Sequence, residues 1–405
     1  MSRIYRIASV VVLYLYLSVA NWTRSAPGHP ASVERAVSTV TMHGQGAVGG
    51  ILYRPGLLDQ YVGYPRVIRL AHDGAANGTL VASFDVFGNN RDSQVVYRST
   101  NGGRSWSHAA TVSDDAYAGR SCCATLYELP RTWGARRAGT LLLAASEGAA
   151  GTMGHEIKVF RSSNAGGAWR YLSSCARGAG GVWEPEFAVD RSGRLVCYFS
   201  DERLPQYSQF LGHVVSTDGG RTWGAEKADV AVPDGTARPG MATVVRLPDG
   251  RYVMSFEVCG RTNCEVHLKT SPNGDDWGAA SDLGSLVQTT DGRYAGHTPY
   301  VTWTPAGEPH GELVLTSQDL FGRDNTVTSD SRRVVLVNRR DGVGPWSVIP
   351  APVATPPDPP GSQPSCGNYS SALLPSPAGD SLFMLAGSLL PNGECEIRYG
   401  FSKLT

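Results

Sequence analysis

An eight-residue pattern recurs four times along the chain: STNGGRSW at 99–106, SSNAGGAW at 162–169, STDGGRTW at 216–223 and, degraded, TSPNGDDW at 270–277. Ser or Thr opens each copy, Gly is fifth and Trp eighth. Asp or Asn beside Gly-Gly makes a tight turn that tolerates positive φ; its side chain caps its own backbone, and the Trp packs beneath. The indoles of Trp106, Trp169, Trp223 and Trp277 stand 63, 54 and 54 residues apart. That period is too long for leucine-rich or ankyrin units and suits the four-stranded blades of a propeller. Such an Asp-box is a folding device, so it identifies the frame and leaves the chemistry to other residues.

A second repeat counts the blades. A Gly turn followed by a β-rich run occurs six times, as NGTLVASFD (77–85), AGTLLLAASE (138–147), SGRLVCYFSD (192–201), DGRYVMSFE (249–257), HGELVLTSQD (310–319) and AGDSLFMLAG (378–387). Each is preceded by another apolar run, so each unit begins with a hairpin. With the box after the third run, the chain reads as an all-β, six-bladed β-propeller of four-stranded antiparallel sheets. The last unit has three evident strands ending in CEIRYGF (395–401), so a strand from the start of the mature chain, around Val37 to Tyr53, is expected to close the ring. The proline-rich stretch from Ala351 to Gly361 is read as an irregular loop.

Arg3 and Arg6, the apolar run Ile7 to Ala20 and the small residues Ser18-Val19-Ala20 read as a secretion signal, leaving residues 27–405 as one propeller domain. The apolar run is short for a membrane span. Eight cysteines in an exported chain favour disulfides: Cys259 with Cys264 would close a hairpin and Cys366 with Cys395 would tie the last blade, while Cys122, Cys123, Cys175 and Cys197 stay unassigned. The 36 basic and 36 acidic side chains cancel, which gives no broad field for nucleic acid or anionic membrane and suits a neutral partner. No pair of cysteines has zinc-site spacing, and no metal or other cofactor is expected. The protein is expected to be a secreted monomer.

In each antiparallel blade the start of the first strand and the end of the second share one face, opposite the boxes. That face gathers Arg66, Glu184, Glu186, Arg238, His297, Tyr300 and Tyr369 from first strands, with Asp85, Glu147, Asp201, Glu257 and Asp319 from second strands. So many charges where six inner strands converge are hard to explain by packing, since buried acids are costly unless paired. Glu184 and Glu186, two apart, would point to one side of a strand unless Pro185 bends it; Glu257 ends a strand one blade later. Two carboxylates from neighbouring blades suit attack on a glycosidic bond; an ion-pair network around Arg66 and Arg238 is the structural alternative, and for Glu186, Asp85 and Glu147 the two readings stay open. Trp183, Tyr300 and Tyr369 are either core aromatics or platforms for sugar rings, and His297 reads as a hydrogen-bond partner.

The runs WEPEF (183–187), YFSDERLPQYSQ (198–209), HVVSTDGGRTWG (213–224), ARPGMATVVRLPDGRYVMSFE (237–257) and HTPYVTWTPAG (297–307) resemble the exo-α-1,5-L-arabinanases of glycoside hydrolase family 93, within the sialidase-like propeller clan. The resemblance covers nearly the whole mature chain. It implies a retaining enzyme that releases arabinobiose from the non-reducing end of a plant-type polysaccharide, arabinan, with Glu184 and Glu257 as the catalytic pair. Two departures stand out: Glu186 where an apolar residue is expected, and CGRTNCEVH (259–267), which adds a disulfide loop beside Glu257. An exo-sialidase is the competing enzyme, though its substrate's carboxylate asks for three convergent arginines and only Arg66 and Arg238 offer themselves. A carbohydrate-binding propeller that lost the reaction is the third reading.

Overall fold

Each Gly-turn repeat forms the second strand of an antiparallel sheet, covered on both sides by its neighbours; Leu141–Glu147, Leu195–Asp201 and Glu312–Thr316 are buried at every position. Burial on both faces explains why these segments read as continuous apolar runs. The computed structural model describes residues 48–55, 61–88, 91–114, 120–148, 154–307, 310–357 and 366–404; the segment 1–26, expected to be a secretion signal, lies outside them. Six sheets make a six-bladed β-propeller. Blade 1 comprises Tyr61–Arg69, Leu80–Phe87, Asp92–Ser99 and Ser107–Val112, and blade 2 Ser121–Glu128, Leu141–Glu147, His155–Ser162 and Arg170–Gly178. Blade 3 comprises Val182–Val189, Leu195–Asp201, Phe210–Ser216 and Lys227–Val230; blade 4 comprises Arg238–Arg246, Tyr252–Cys259 and Glu265–Ser271, with the short Ser285–Leu286 outermost. Blade 5 contains Tyr300–Thr304, Glu312–Thr316, Val334–Asn338 and Ser347–Pro350. Its first hairpin continues into Tyr294–Gly296 and Asp319–Phe321, which touch blade 4 through the Glu265/Gly296 pair.

The four eight-residue repeats lie between third and fourth strands. In the first, Ser99 Oγ accepts from Gly103 N at 2.8 Å, Asn101 Oδ1 accepts from Ser105 N at 2.9 Å, and Trp106 Nε1 donates to Gly103 O at 3.0 Å. The fifth-position glycines, Gly103, Gly166, Gly220 and Gly274, have φ of 89°, 84°, 85° and 78°, which a side chain would disfavour. Each turn seats on the preceding blade: Trp106 meets Phe383 and Tyr399, Trp223 Nε1 donates to Ser173 Oγ, and Tyr198 Oη donates to Gly274 O. A fifth turn of this kind escapes the sequence pattern. Asn338 Oδ1 accepts from Arg340 N and Gly342 N ahead of buried Trp346, within NRRDGVGPW.

Blade 6 consists of Ala372–Pro375, Ser381–Leu389, Cys395–Lys403 and, from the other end of the chain, Val48–Tyr53. The closing strand fits because a Cβ at Gly49 would lie 2.4 Å from Tyr399 O. Leu52 is buried beside Phe84 and Ile397, and the Tyr53 ring lies tilted 5.0 Å from that of Phe84, so this strand joins the first and last blades. Deleting residues 30–53 would expose the edge of Cys395–Lys403 and strip that core. The expected result is loss of the cooperative transition in calorimetry; a deletion melting like the parent would mean that the ring closes in another way.

The pairs Cys259–Cys264 and Cys366–Cys395 form as expected. Cys175–Cys197 ties the outer strand of blade 2 to blade 3, and Cys122 bonds to its neighbour Cys123. Of the Asn-X-Ser/Thr sequons at Asn77 and Asn368, the first is exposed, whereas Asn368 is buried and its side chain donates to Ser317 O.

Candidate active site

One irregularity recurs at the head of the inner strands and builds the site. The register slips between Gly63 and Arg66, Cys122 and Thr125, Trp183 and Glu186, and Gly240 and Thr243. Inside each slip stands a non-glycine residue of positive φ: Tyr64 at 54°, Cys123 at 64°, Glu184 at 56° and Met241 at 55°. Blades 5 and 6 place His297, Thr298, Asn368 and Ser370 in the same backbone region. Such bulges re-aim side chains and are strained for non-glycine residues, a combination found at functional sites. They also break the alternation expected in WEPEF: Glu184 reaches blade 4, while Glu186 accepts from Thr125 Oγ1 of blade 2 at 2.9 Å.

Glu184 Oε2 accepts from Ser200 Oγ at 2.6 Å and from Met241 N at 3.1 Å. Glu257 pairs across the sheet with Gly240, the residue before Met241, and its Oε2 accepts from Thr298 N at 2.7 Å. The two carboxylates therefore flank one short piece of blade 4 backbone. Burial pushes each up to about 7. Beyond burial, the Ser200 hydroxyl and the Met241 N–H favour the anion at Glu184 while the charges of Glu257 and Glu202 oppose it, and at Glu257 the Thr298 N–H and the charge of Arg238 favour the anion. Two such neighbouring carboxyls titrate as a pair near pH 7. His297 Nδ1 stands 4.0 Å from Glu257 Oε2, and burial holds this imidazole below its ordinary value. Cys259 Sγ lies 3.3 Å from Glu257 Oε1; being disulfide-bonded it carries no hydrogen, so this is contact without a hydrogen bond.

Arg66 is buried, donates to Ser370 O and Oγ, and lies over the rings of Tyr64 and Tyr300 at 4.2 and 5.4 Å. Tyr369 Oη approaches Met241 Sδ at 3.9 Å, its ring is 6.5 Å from Tyr64, and burial beside Glu257 and Glu184 pushes its phenol up. Asp85 accepts from Cys123 N at 2.5 Å and Gln94 Nε2 at 3.3 Å; burial pushes it up to about 7 against the charge of Arg66. Burial likewise raises Glu186 to about 7 and Tyr300 to about 12. The structure thus brings Arg66, Asp85, Glu184, Glu186, Glu257, His297, Tyr300 and Tyr369 around the converging inner strands.

Three other residues are engaged elsewhere. Trp183 is buried with its ring 4.7 Å from His155 of blade 2. Asp201 is fully buried in an ion pair with Arg203, which also holds Glu226. Arg238 is committed to Glu202, Gln209 Oε1 at 2.8 Å and Ser208 O at 2.9 Å. Among the described residues, Cys259, Cys264 and His297 come within metal-ligating reach of one another, but the two sulfurs are bonded together. Tyr64, Ser200, Met241 and the Cys122–Cys123 pair escaped the sequence reading, because nothing in local composition marks a bulge.

These buried acids set a pH dependence of stability. Asp85, Glu184, Glu186 and Glu257 are raised to about 7 and Glu147 to about 8, in each case chiefly by burial. The unfolded chain releases these protons near the ordinary carboxyl values, at about pH 4. Between roughly pH 4 and 8 the folded protein holds more protons, so stability falls as pH rises. His213, raised by Asp229 and Asp275, acts in the same direction, while His155, His267 and His297, lowered by burial, act in the opposite one. With the five acids dominating, the melting temperature is expected to be higher at pH 5 than at pH 8, and a rise across that interval would contradict the burial described.

No protein-family model and no curated protein matches the chain. Solved structures do. A family 93 α-L-arabinofuranosidase of Fusarium graminearum, in complex with arabinobiose, is 25% identical over 84% of this chain and 93% of its own, with a TM-score of 0.71. An α-L-arabinanase of Penicillium chrysogenum, also complexed with arabinobiose, is 25% identical over 90% and 98%, with a TM-score of 0.71. A sialidase from Streptococcus pneumoniae, 13% identical over 87% and 70% with a TM-score of 0.56, shares the fold alone.

Proposed function

We infer that this protein is a glycoside hydrolase of the arabinanase kind, similar to family 93, and that it cleaves arabinan with Glu184 and Glu257. The observation that carries this reading is the pair itself: two buried carboxylates from adjacent blades, both pushed up to about 7, flanking Gly240 and Met241 in a fold shared with arabinobiose-bound neighbours. Glu184 is the general acid and then base, since the negative charge of Glu257 favours its protonated form. Glu257 is the nucleophile, its anion supported by the Thr298 N–H and by Arg238. Attack at the anomeric carbon, with the proton of Glu184 passing to the leaving oxygen, gives a glycosyl-enzyme; water activated by Glu184 then releases the sugar with retention. Tyr64, Tyr300 and Tyr369 supply ring faces, and Asp85, Glu186 and Arg66 supply polar contacts to hydroxyls.

The enzyme works from the non-reducing end, releases arabinobiose and acts as a secreted monomer without a metal. Four disulfides support export, and among the described residues no helix is long and apolar enough to cross a membrane. Among the described residues, Arg238 is committed to Glu202 and Arg66 to Ser370, which leaves these two unsuited to clamping a substrate carboxylate and supports a neutral substrate over a sialoside. Purified protein is to be incubated with linear arabinan, debranched arabinan and a sialoside, and the products separated by chromatography. Arabinobiose from the arabinans is expected. Sialic acid release with arabinan untouched would overturn the reading, and binding without any product would make the propeller a lectin.

A further inference from the structure

Three of the four disulfides have a place in the covalent frame. Cys175–Cys197 and Cys366–Cys395 lie in apolar cores between blades, closing 22 and 29 residues, and Cys259–Cys264 closes five beside Glu257. Cys122–Cys123 joins sequence neighbours. It encloses no loop, so loop-closure entropy gives it essentially no stabilising role, and neither residue belongs to the apolar clusters. Its location is nevertheless specific. Cys123 is the blade 2 member of the positive-φ series whose other members are Tyr64, Glu184 and Met241, all facing the site. It is partly exposed there, its N–H holds Asp85 Oδ2 at 2.5 Å, and two residues on Thr125 holds Glu186.

Tying Cys123 back to Cys122 shortens the side chain just where the other blades project long ones. What remains is a rigid, polarizable, apolar sulfur surface beside a carboxylate. A furanose ring presents the complementary two surfaces, one side rich in C–H groups and an edge of hydroxyls, and covering C–H groups with an apolar sulfur surface removes them favourably from water. We propose that the Cys122–Cys123 disulfide is a specificity-determining wall of the sugar site, packing on the C–H face of a bound arabinofuranosyl ring while Asp85, held by the Cys123 N–H, accepts from its hydroxyls. This rests on the arabinan reading above.

The test compares wild type with C122A/C123G, in which glycine accepts the φ of 64° at position 123, and with C122S/C123S. Arabinobiose binding is measured by calorimetry, hydrolysis of linear arabinan by steady-state kinetics and folding by thermal melting. Both variants are expected to melt within a few degrees of wild type and to raise the arabinobiose Kd and the arabinan KM about five- to tenfold, which is about 1–1.4 kcal/mol, the loss falling mainly on KM. Unchanged Kd and KM would overturn the wall while leaving the arabinan reading intact. Loss of folding in both variants would overturn it too, by making the disulfide a staple. Wild type that neither binds arabinobiose nor cleaves arabinan would instead remove the reading on which the proposal rests.

Discussion

Glu257→Ala is expected to abolish turnover of linear arabinan, with kcat/KM at least about 10⁴-fold lower, because the proposed nucleophile is removed and the general-acid contribution alone spans about 10²–10⁴-fold. The position makes the reason concrete. Glu257 sits near the end of a buried strand opposite Gly240, with Thr298 N and His297 on one side and the Cys259–Cys264 loop on the other. Removing the carboxylate leaves a gap that a small anion can enter. Added azide is therefore expected to restore part of the activity and to give a glycosyl azide of inverted configuration. Arabinan turnover within about tenfold of wild type, below the usual range for such groups, would show that Glu257 is not the nucleophile.

Glu184→Ala is expected to act differently. Protonation of the leaving oxygen is lost, so arabinan cleavage falls by about 10²–10⁴-fold. An aryl arabinofuranoside with a good leaving group needs no such help in its first step and should show a burst followed by slow deglycosylation. The basic limb of the pH–rate profile of wild type, near pH 7, reports loss of the proton from the pair, and it should vanish in this variant. Equal losses on both substrates, with the basic limb kept, would transfer the acid role elsewhere, and Glu186 would be the first residue to examine.

The frame was legible because propeller turns are local chemistry. Ser99, Asn101 and Gly103 satisfy one another within five residues, so their pattern survives in the chain as text. The variant at Asn338 to Trp346 makes the same turn with Asn as the opening side chain and a different spacing, and escapes the pattern for that reason. Faces of the strands were legible too, since hairpin order alone puts first-strand starts beside second-strand ends. The bulges were not. A non-glycine residue at positive φ is held by its neighbours in space, and Tyr64, Cys123, Glu184 and Met241 share no side-chain chemistry that would mark them. Because of the bulge, Trp183 goes to His155 and Glu184 to Met241, although the two are adjacent in sequence. Charge partners behaved similarly: Asp201 and Asp85 both end second strands, yet Arg203, two residues away, claims the first, and a backbone N–H of the next blade claims the second.

Reaction of the Glu184→Ala variant with an aryl arabinofuranoside, followed by intact-protein and peptide mass spectrometry, tests the carboxylate pair most directly. Deglycosylation is then slow, so a single glycosyl adduct should accumulate on the peptide containing Glu257. An adduct on the peptide of Glu186, or steady turnover with an inverted product and no adduct, would contradict the account.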